Sequence, residues 1–219
     1  MKNQEEIKHR TPVCDRCKNV IDYIMTKEFY LNQTDFISIM LKLGNKLKFH
    51  PKAHRQLLTD WINSITIDWP ITRRRFYGTE VPIWYCKDCN RIMLPKKGKY
   101  YQPWKEKPPF KKCGNCGGKL IGDTRTFDTW FDSSISPLFI SRYGSDKNFF
   151  KKTFPNALRP QGKDIIRTWL YYTLLRCYQI TKKPPFEHAW ISGYCVDEHG
   201  EKMSKSKGNV IDPREMVAK

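Results

Sequence analysis

The sequence predicts an α/β protein built on a parallel sheet of the nucleotide-binding kind and carrying an inserted four-cysteine ribbon. Three observations lead there. From residue 123 onward the chain reads as strand, helix, strand, loop and helix, the order that builds parallel sheets. Two Cys-x-x-Cys knuckles, Cys86/Cys89 and Cys113/Cys116, interrupt the pattern upstream and stand 23 residues apart. A loop with lysines at 202, 205 and 207 follows the last strand, and such sheets bind ligands beyond the carboxyl ends of their strands.

The elements follow in order. Residues 1–60 open with the knuckle Cys14-Asp15-Arg16-Cys17 and continue as mixed, partly helical sequence. Residues 61–85 are Trp-rich, and alternation over 79–85 predicts a strand. The insert, 86–122, is loop-rich around Pro103, Pro108 and Pro109. In 123–219 a strand is expected over 126–131, then a loop, then a helix over 164–178. That helix carries an apolar stripe of Ile165, Ile166, Trp169, Leu170, Leu174 and Cys177. Gly162 precedes it and Asp164 is placed to cap it. A second strand is expected over 189–196, and Asp212-Pro213 opens a last helix with Asp at the N-cap and Pro at N1.

The 219 residues are 39% hydrophobic and 14% aromatic, which suits a folded chain with a real core and excludes a disordered basic tail. Forty Lys and Arg against 22 Asp and Glu give a net charge of +18, pointing to a polyanionic partner such as RNA or nucleotide. An AT-rich genome or a high-salt habit that inflates surface lysine is the bland alternative, and composition alone separates these poorly. No stretch approaches the roughly 18 apolar residues that cross a bilayer, and the first ten residues are polar, so a cytoplasmic protein with no membrane partner is expected. There, eight cysteines read as metal ligands and not as disulfides.

Two Cys-x-x-Cys turns deliver four thiolates, the set for tetrahedral zinc. With Cys86, Cys89, Cys113 and Cys116 all engaged, no coordination position stays open, so the zinc is expected to be structural. Cys14 and Cys17 make a third knuckle without an obvious mate, either half of a split metal site or a dithiol. Cys177 reads as core. The loop Lys202-Met203-Ser204-Lys205-Ser206-Lys207-Gly208-Asn209 joins three lysines and two hydroxyls, able to neutralise and hydrogen-bond a polyphosphate.

That string resembles, letter for letter, the KMSKS signature of the class I aminoacyl-tRNA synthetases, with the KGN extension of their valyl, isoleucyl, leucyl and methionyl group. Other segments are similar in the same order. Residues 68–78, DWPITRRRFYG, resemble the family's DW-x-ISRQR segment, with departures at Pro70 and 72–75. DTWFDSS, 128–134, and RPQGKDIIRTW, 159–169, resemble the archaeal-type valyl subfamily, with Lys163 where histidine is usual. Met1 to Leu31, with the string HRTPVCDRC at 9–17, resembles the return from the editing domain.

The resemblance implies the second half of a Rossmann-type catalytic domain (123–219), with the zinc ribbon at 86–122, the return into the catalytic domain at 61–85, and the tail of the editing insertion at 1–60. It implies ATP, with Mg²⁺, as substrate, and valine and tRNA(Val) as partners. The amino acid's carboxylate is then the nucleophile, and the protein supplies positioning and charge stabilisation. Lys202 and Lys205 would act on the phosphates and the leaving pyrophosphate, assisted by Met203, Ser204 and Ser206. Gly162 and Asp164 would hold the ribose, Ser192 and Gly193 would face adenine, and Trp130 and Trp169 would line the amino-acid pocket. For Trp169 plain core is the competing reading, and for Asp164 a plain helix cap.

The family's HIGH signature has no counterpart here: none of His9, His50, His54, His188 and His199 lies in an H-x-G-H string. The expectation is therefore a fragment, inactive alone, whose missing N-terminal half another polypeptide could supply. An isoleucyl (then leucyl) relative is the alternative within the class. A free-standing zinc-ribbon RNA-binding module is the alternative outside it.

Overall fold

A three-stranded parallel sheet and the helices packed on one of its faces organise the computed structural model, which describes residues 10–15, 17–75 and 78–218. Met1–His9, Arg16, Phe76 and Tyr77, which belong to the family-like strings above, lie outside the described residues. In chain order come β1 (Tyr30–Leu31), α1 (Ile37–Lys46), β2 (Lys48–His50), α2 (Arg55–Asn63), β3 (Trp69–Pro70) and β4 (Thr72–Arg73). The ribbon strands are β5 (Trp84–Cys86), β6 (Ile92–Met93) and β7 (Leu120–Gly122). Then follow β8 (Thr126–Phe127), α3 (Thr129–Ser133), α4 (Ser136–Ile140), α5 (Lys147–Thr153) and β9 (Asn156–Gly162). A 3₁₀ turn (Lys163–Ile165) and a π-helical turn (Ile166–Leu170) lead into α6 (Tyr171–Thr181), and β10 (Phe186–Ser192) and α7 (Pro213–Val217) close the series.

The parallel sheet has the order β2-β10-β9, with both pairings parallel and Ser192 registered opposite Gly162. Its covered face is apolar where it meets the helices: Phe49, Ala189 and Ile191 join Met40, Leu58, Ile62, Ile166, Leu170, Tyr171, Leu174 and Leu175 in one buried cluster. Burying such side chains contributes about 1.5–3 kcal/mol each. The opposite face is open, with Trp190 60% and Leu158 45% exposed and His50 stacked on His188.

Several expectations are corrected here. The first strand of the β–α–β unit is β9, a segment expected as loop. Arg159, Pro160 and Gln161 hide its period, yet Arg159 and Gln161 point inward and are buried. Only Thr126–Phe127 of the strand expected over 126–131 is extended. Asp128 ends it by accepting the Trp130 N–H at 2.8 Å and capping α3. The last strand covers Phe186–Ser192 and not 189–196, and the strand expected over 79–85 is reduced to Trp84–Cys86. Residues 37–62 pack into the same core as α6 and β10. The stripe helix is present but irregular at its start, and the last helix begins as expected, Asp212 accepting from the Arg214 N–H at 2.9 Å.

A buried polar hub fastens the ribbon's stem. Asp123, 4% exposed, accepts from the Tyr85 hydroxyl at 2.6 Å and pairs with Arg125 at 2.7 Å; Arg125 also reaches Glu28 at 3.4 Å. Burial alone would raise the Asp123 pKa, but the Arg125 and Tyr85 hydrogen bonds outweigh it and hold the carboxyl below its usual range. A lowered folded-state pKa means the stabilisation is full above the unfolded value near 3.9 and is lost as pH falls through the folded value. Asp123→Asn is expected to cost about 1.5–3 kcal/mol, the worth of a hydrogen bond to a charged group, since Glu28 remains as a carboxylate partner of Arg125; urea unfolding at pH 7 measures it.

Candidate functional site

Because β9 and β10 are parallel and in register at Gly162 and Ser192, the loops after them leave the same carboxyl edge of the sheet. The first is short, Lys163–Asp164. The second folds back as a hairpin with Val196 bridged to Lys202. Asp197 shapes its turn by accepting from His199 and Glu201 N–H groups at 3.0 and 2.8 Å. Asn209 closes the lysine loop: its amide donates to Asp197 at 2.7 Å and its carbonyl accepts from the Ser204 N–H at 2.9 Å. Gly208 adopts φ +72°, a left-handed conformation that favours glycine, and its N–H returns to the Ser204 carbonyl at 3.2 Å.

The hairpin carries Lys202 over the first loop. Its Nζ donates to Asp164 Oδ2 at 2.9 Å and lies 4.3 Å from the Tyr194 ring centre. Lys202 holds the Asp164 carboxyl below its usual range. Asp164 therefore does not cap the helix: the first turn is 3₁₀, its N-cap is the side-chain-less Gly162, and no side chain caps it. A cleft of about 230 Å³ beside this pair is lined by Leu57, Lys163, Asp164, Ile166, Arg167 and Tyr194. The hydroxyls of Ser204 and Ser206 meet at 2.9 Å, Lys207 is paired with Glu201 at 2.9 Å, and Lys205 is exposed. Met203 is half-buried, its sulfur accepting from the Ile211 N–H at 3.3 Å. Ser192 and Gly193 are exposed at the end of β10.

Trp169 lies on the π-helical turn. Its indole N–H donates to the Ser133 carbonyl at 3.0 Å, and the Arg159 guanidinium stacks 3.3 Å from its ring centre. Trp130 is half-buried at the start of α3, the segment that Trp169 grips. Two arginines to which the sequence assigns no role, Arg159 buried and Arg176 half-buried, complete that grip. Arg159 donates to Ser136 Oγ at 3.2 Å and Thr173 Oγ1 at 2.9 Å. Arg176 donates to the Phe131 carbonyl and, at 3.2 Å, to Ser134 Oγ. Burial pushes both guanidinium pKa values down to about 10. The signal for Arg159 in the sequence is positional, since it alternates with Gln161 on β9; Arg176 lies on α6.

The four ribbon cysteines converge. Cys86 and Cys116 sulfurs are 3.3 Å apart, Cys89 and Cys113 are 3.7 Å apart, and all four lie within 4.8 Å of one another. A tetrahedral zinc with ~2.3 Å Zn–S bonds spaces its sulfurs by roughly 3.8 Å, so the donor set fits. Backbone N–H groups of Cys116 and Asn115 draw the Cys113 thiol down to about 6, while hydrogen bonding to Cys86 and Cys89 pushes the Cys116 thiol up, so a metal would still have to displace protons from the cluster on binding. A Cβ at Gly118 would strike the Asp88 carboxylate and come within 2.9 Å of Cys86 Sγ. Cys14 and Cys17 sit on a small hairpin bridged Val13 to Val20, and they join no such cluster among the described residues.

The family model for class I tRNA synthetases (I, L, M and V) matches residues 6–219, and the chain belongs to that family. Among curated relatives, the valine–tRNA ligase of Aeropyrum pernix is 50% identical over 99% of this chain and 27% of its own length. That of Nanoarchaeum equitans is 49% identical over 98% of this chain and 29% of its own. The chain thus spans under a third of the relatives it matches. Among solved structures, the ternary complex of Agrobacterium radiobacter K84 AgnB2 LeuRS with tRNA and LeuAMS aligns with TM-score 0.51 at 27% identity, over 69% of this chain and 22% of that one. Mycobacterium tuberculosis methionyl-tRNA synthetase with methionyl-adenylate aligns with TM-score 0.61 at 17% identity, over 95% and 34%; at that identity it shows the fold alone. No helix among the described residues is long and apolar enough to cross a membrane.

Proposed function

We propose that this chain carries the phosphate-gripping half of the catalytic domain of a valine–tRNA ligase. In the whole enzyme, ATP (with Mg²⁺) activates valine to valyl-adenylate, and the acyl group then passes to tRNA(Val). The observation that carries the reading is the Lys202 loop standing over the carboxyl edge of the parallel sheet, within 2.9 Å of Asp164. ATP would enter between them, its ribose against Gly162 and Asp164, its adenine near Ser192 and Gly193, and its phosphates under Lys202, Ser204, Lys205 and Ser206. The valine carboxylate attacks the α-phosphorus and pyrophosphate leaves, so the protein's work is to place the reactants and to stabilise charge shifting onto the leaving oxygens. Trp130 and Trp169 would bound the side-chain pocket. Zinc would be held by Cys86, Cys89, Cys113 and Cys116 as a structural ion; Cys14 and Cys17 would complete a second site only with ligands from elsewhere. The 50% identity to valine–tRNA ligases favours valine over isoleucine, and the parallel sheet argues against a free-standing ribbon module.

The 219 residues hold no H-x-G-H string, and parallel sheets are ordinarily covered on both faces. The open face around Trp190 and Leu158 supports a requirement for a second half. The test is valine-dependent ATP–pyrophosphate exchange: none by this polypeptide alone, and exchange when an H-x-G-H-bearing half is supplied. Exchange with isoleucine but not valine would overturn the specificity, and exchange by the isolated chain would overturn the division of labour. In the assembled enzyme, Asp164→Asn is expected to raise KM for ATP roughly tenfold, the worth of a hydrogen bond to a charged group, with little change in thermal midpoint because the Lys202 pair is half-exposed. Trp169→Ala should raise KM for valine more than KM for ATP; equal rises would mark Trp169 as plain core.

A further inference from the structure

We infer that the ribbon's lysine-bearing surface is an RNA-backbone contact, distinct from the nucleotide site. Residues 86–122 carry ten Lys and Arg against two acids. The other 182 residues carry thirty against twenty, so the ribbon's net charge per residue is about four times theirs. A genome-wide lysine bias would spread evenly and does not explain this concentration. Bound zinc with four thiolates would subtract two charges and leave the ribbon strongly basic.

Folding does not neutralise these charges. All nine ribbon lysines are exposed, and none forms an ion pair among the described residues. Lys202 and Lys207, by contrast, each have a carboxylate at 2.9 Å. The lysines are also fixed in place. The Tyr101 hydroxyl donates to the Lys96 carbonyl at 3.2 Å. Tyr101 and Phe110 both pack edge-on against Trp84, at 5.8 and 6.2 Å. The segments bearing Lys96, Lys97 and Lys99 and those bearing Lys111 and Lys112 are therefore held around one buried indole.

Lys99 lies 5.5 Å from the Tyr101 ring centre, but a rigid run of strongly hydrated point charges with no carboxylate partner among the described residues suits a regularly spaced polyanion. Exposed aromatic surface on Tyr100, 59% accessible, adds a stacking platform that favours RNA over an acidic protein. The inference depends on the RNA partner of the proposed function but not on its nucleotide site, and valine-dependent pyrophosphate exchange needs no RNA, so the two can fail separately.

The experiment is binding of unfractionated tRNA to the zinc-loaded 219-residue chain across a salt series. K97Q/K111Q/K112Q is compared with the off-ribbon control K147Q/K151Q/K152Q and with the charge-keeping K97R/K111R/K112R. The ribbon triple is expected to weaken binding at least tenfold at low salt and to reduce the slope of log Kobs against log salt by about 2, since each phosphate contact contributes about 0.7–0.9. The control and the arginine triple should stay within about twofold of the parent. Equal weakening by both glutamine triples would reduce the effect to net charge and overturn the inference, as would poly-glutamate displacing tRNA as well as RNA of equal charge does. Loss of binding in the arginine triple would overturn it too, because charge is retained there.

Discussion

Lys205→Ala, in the assembled enzyme, is expected to lower valine-dependent ATP–pyrophosphate exchange by about 10²-fold or more, while KM for ATP changes only a few-fold. The loop's three lysines are not equivalent. Lys202 is held by Asp164 and the Tyr194 ring, and Lys207 by Glu201. Lys205 forms no ion pair among the described residues and stands exposed between Ser204 and Ser206. Its charge is the one still available to meet the pyrophosphate as negative charge builds on it. A donor that acts mainly on the developing charge lowers kcat more than it raises KM, and losing one such donor costs about 10²–10³ in rate. Lys207→Ala is the internal control, with an expected loss under about threefold. Should Lys207→Ala prove the more damaging, the assignment of roles within the loop fails.

The reasons that this loop, and little of its scaffold, could be read from sequence are physical. Chemistry that depends on residue type at fixed short spacing is local, so the two ribbon knuckles and the lysine string were legible without a fold. The cap at Asp212 is equally local. β9 was not, because a strand that buries Arg159 and Gln161 has no hydrophobic alternation, and only the third dimension shows Trp169 and Thr173 waiting for Arg159. Asp164 was read as a cap because Asp before an apolar stripe usually is one; an irregular 3₁₀-to-π start and a lysine arriving from 38 residues away gave it a different partner. Nor could the sequence show that residues 37–62 share the sheet's core, since a three-residue strand such as β2 has almost no pattern of its own.

Removing the metal, by chelation or by Cys113→Ser, is expected to unfold residues 86–122 while the parallel-sheet core stays folded. The ribbon's own buried cluster is Trp84, Cys86, Tyr101, Cys113 and Leu120, of which two are candidate ligands. Segments under about 40 residues rarely bury enough surface to fold without a metal or disulfides, whereas structural zinc supplies on the order of 10–16 kcal/mol. Glu80 ties the ribbon to the main body through Tyr100, Gln102 and Trp104, but hydrogen bonds worth about 1 kcal/mol each cannot replace that. The sheet's cluster around Ile166 and Leu174 shares no residue with the ribbon's, so the loss should not spread. One zinc per chain by elemental analysis, and hydrogen-exchange protection lost over 86–122 but kept in α6 and β10 after chelation, is the expected outcome. Protection that survives chelation in the ribbon would show that its three short strands stand without the ion.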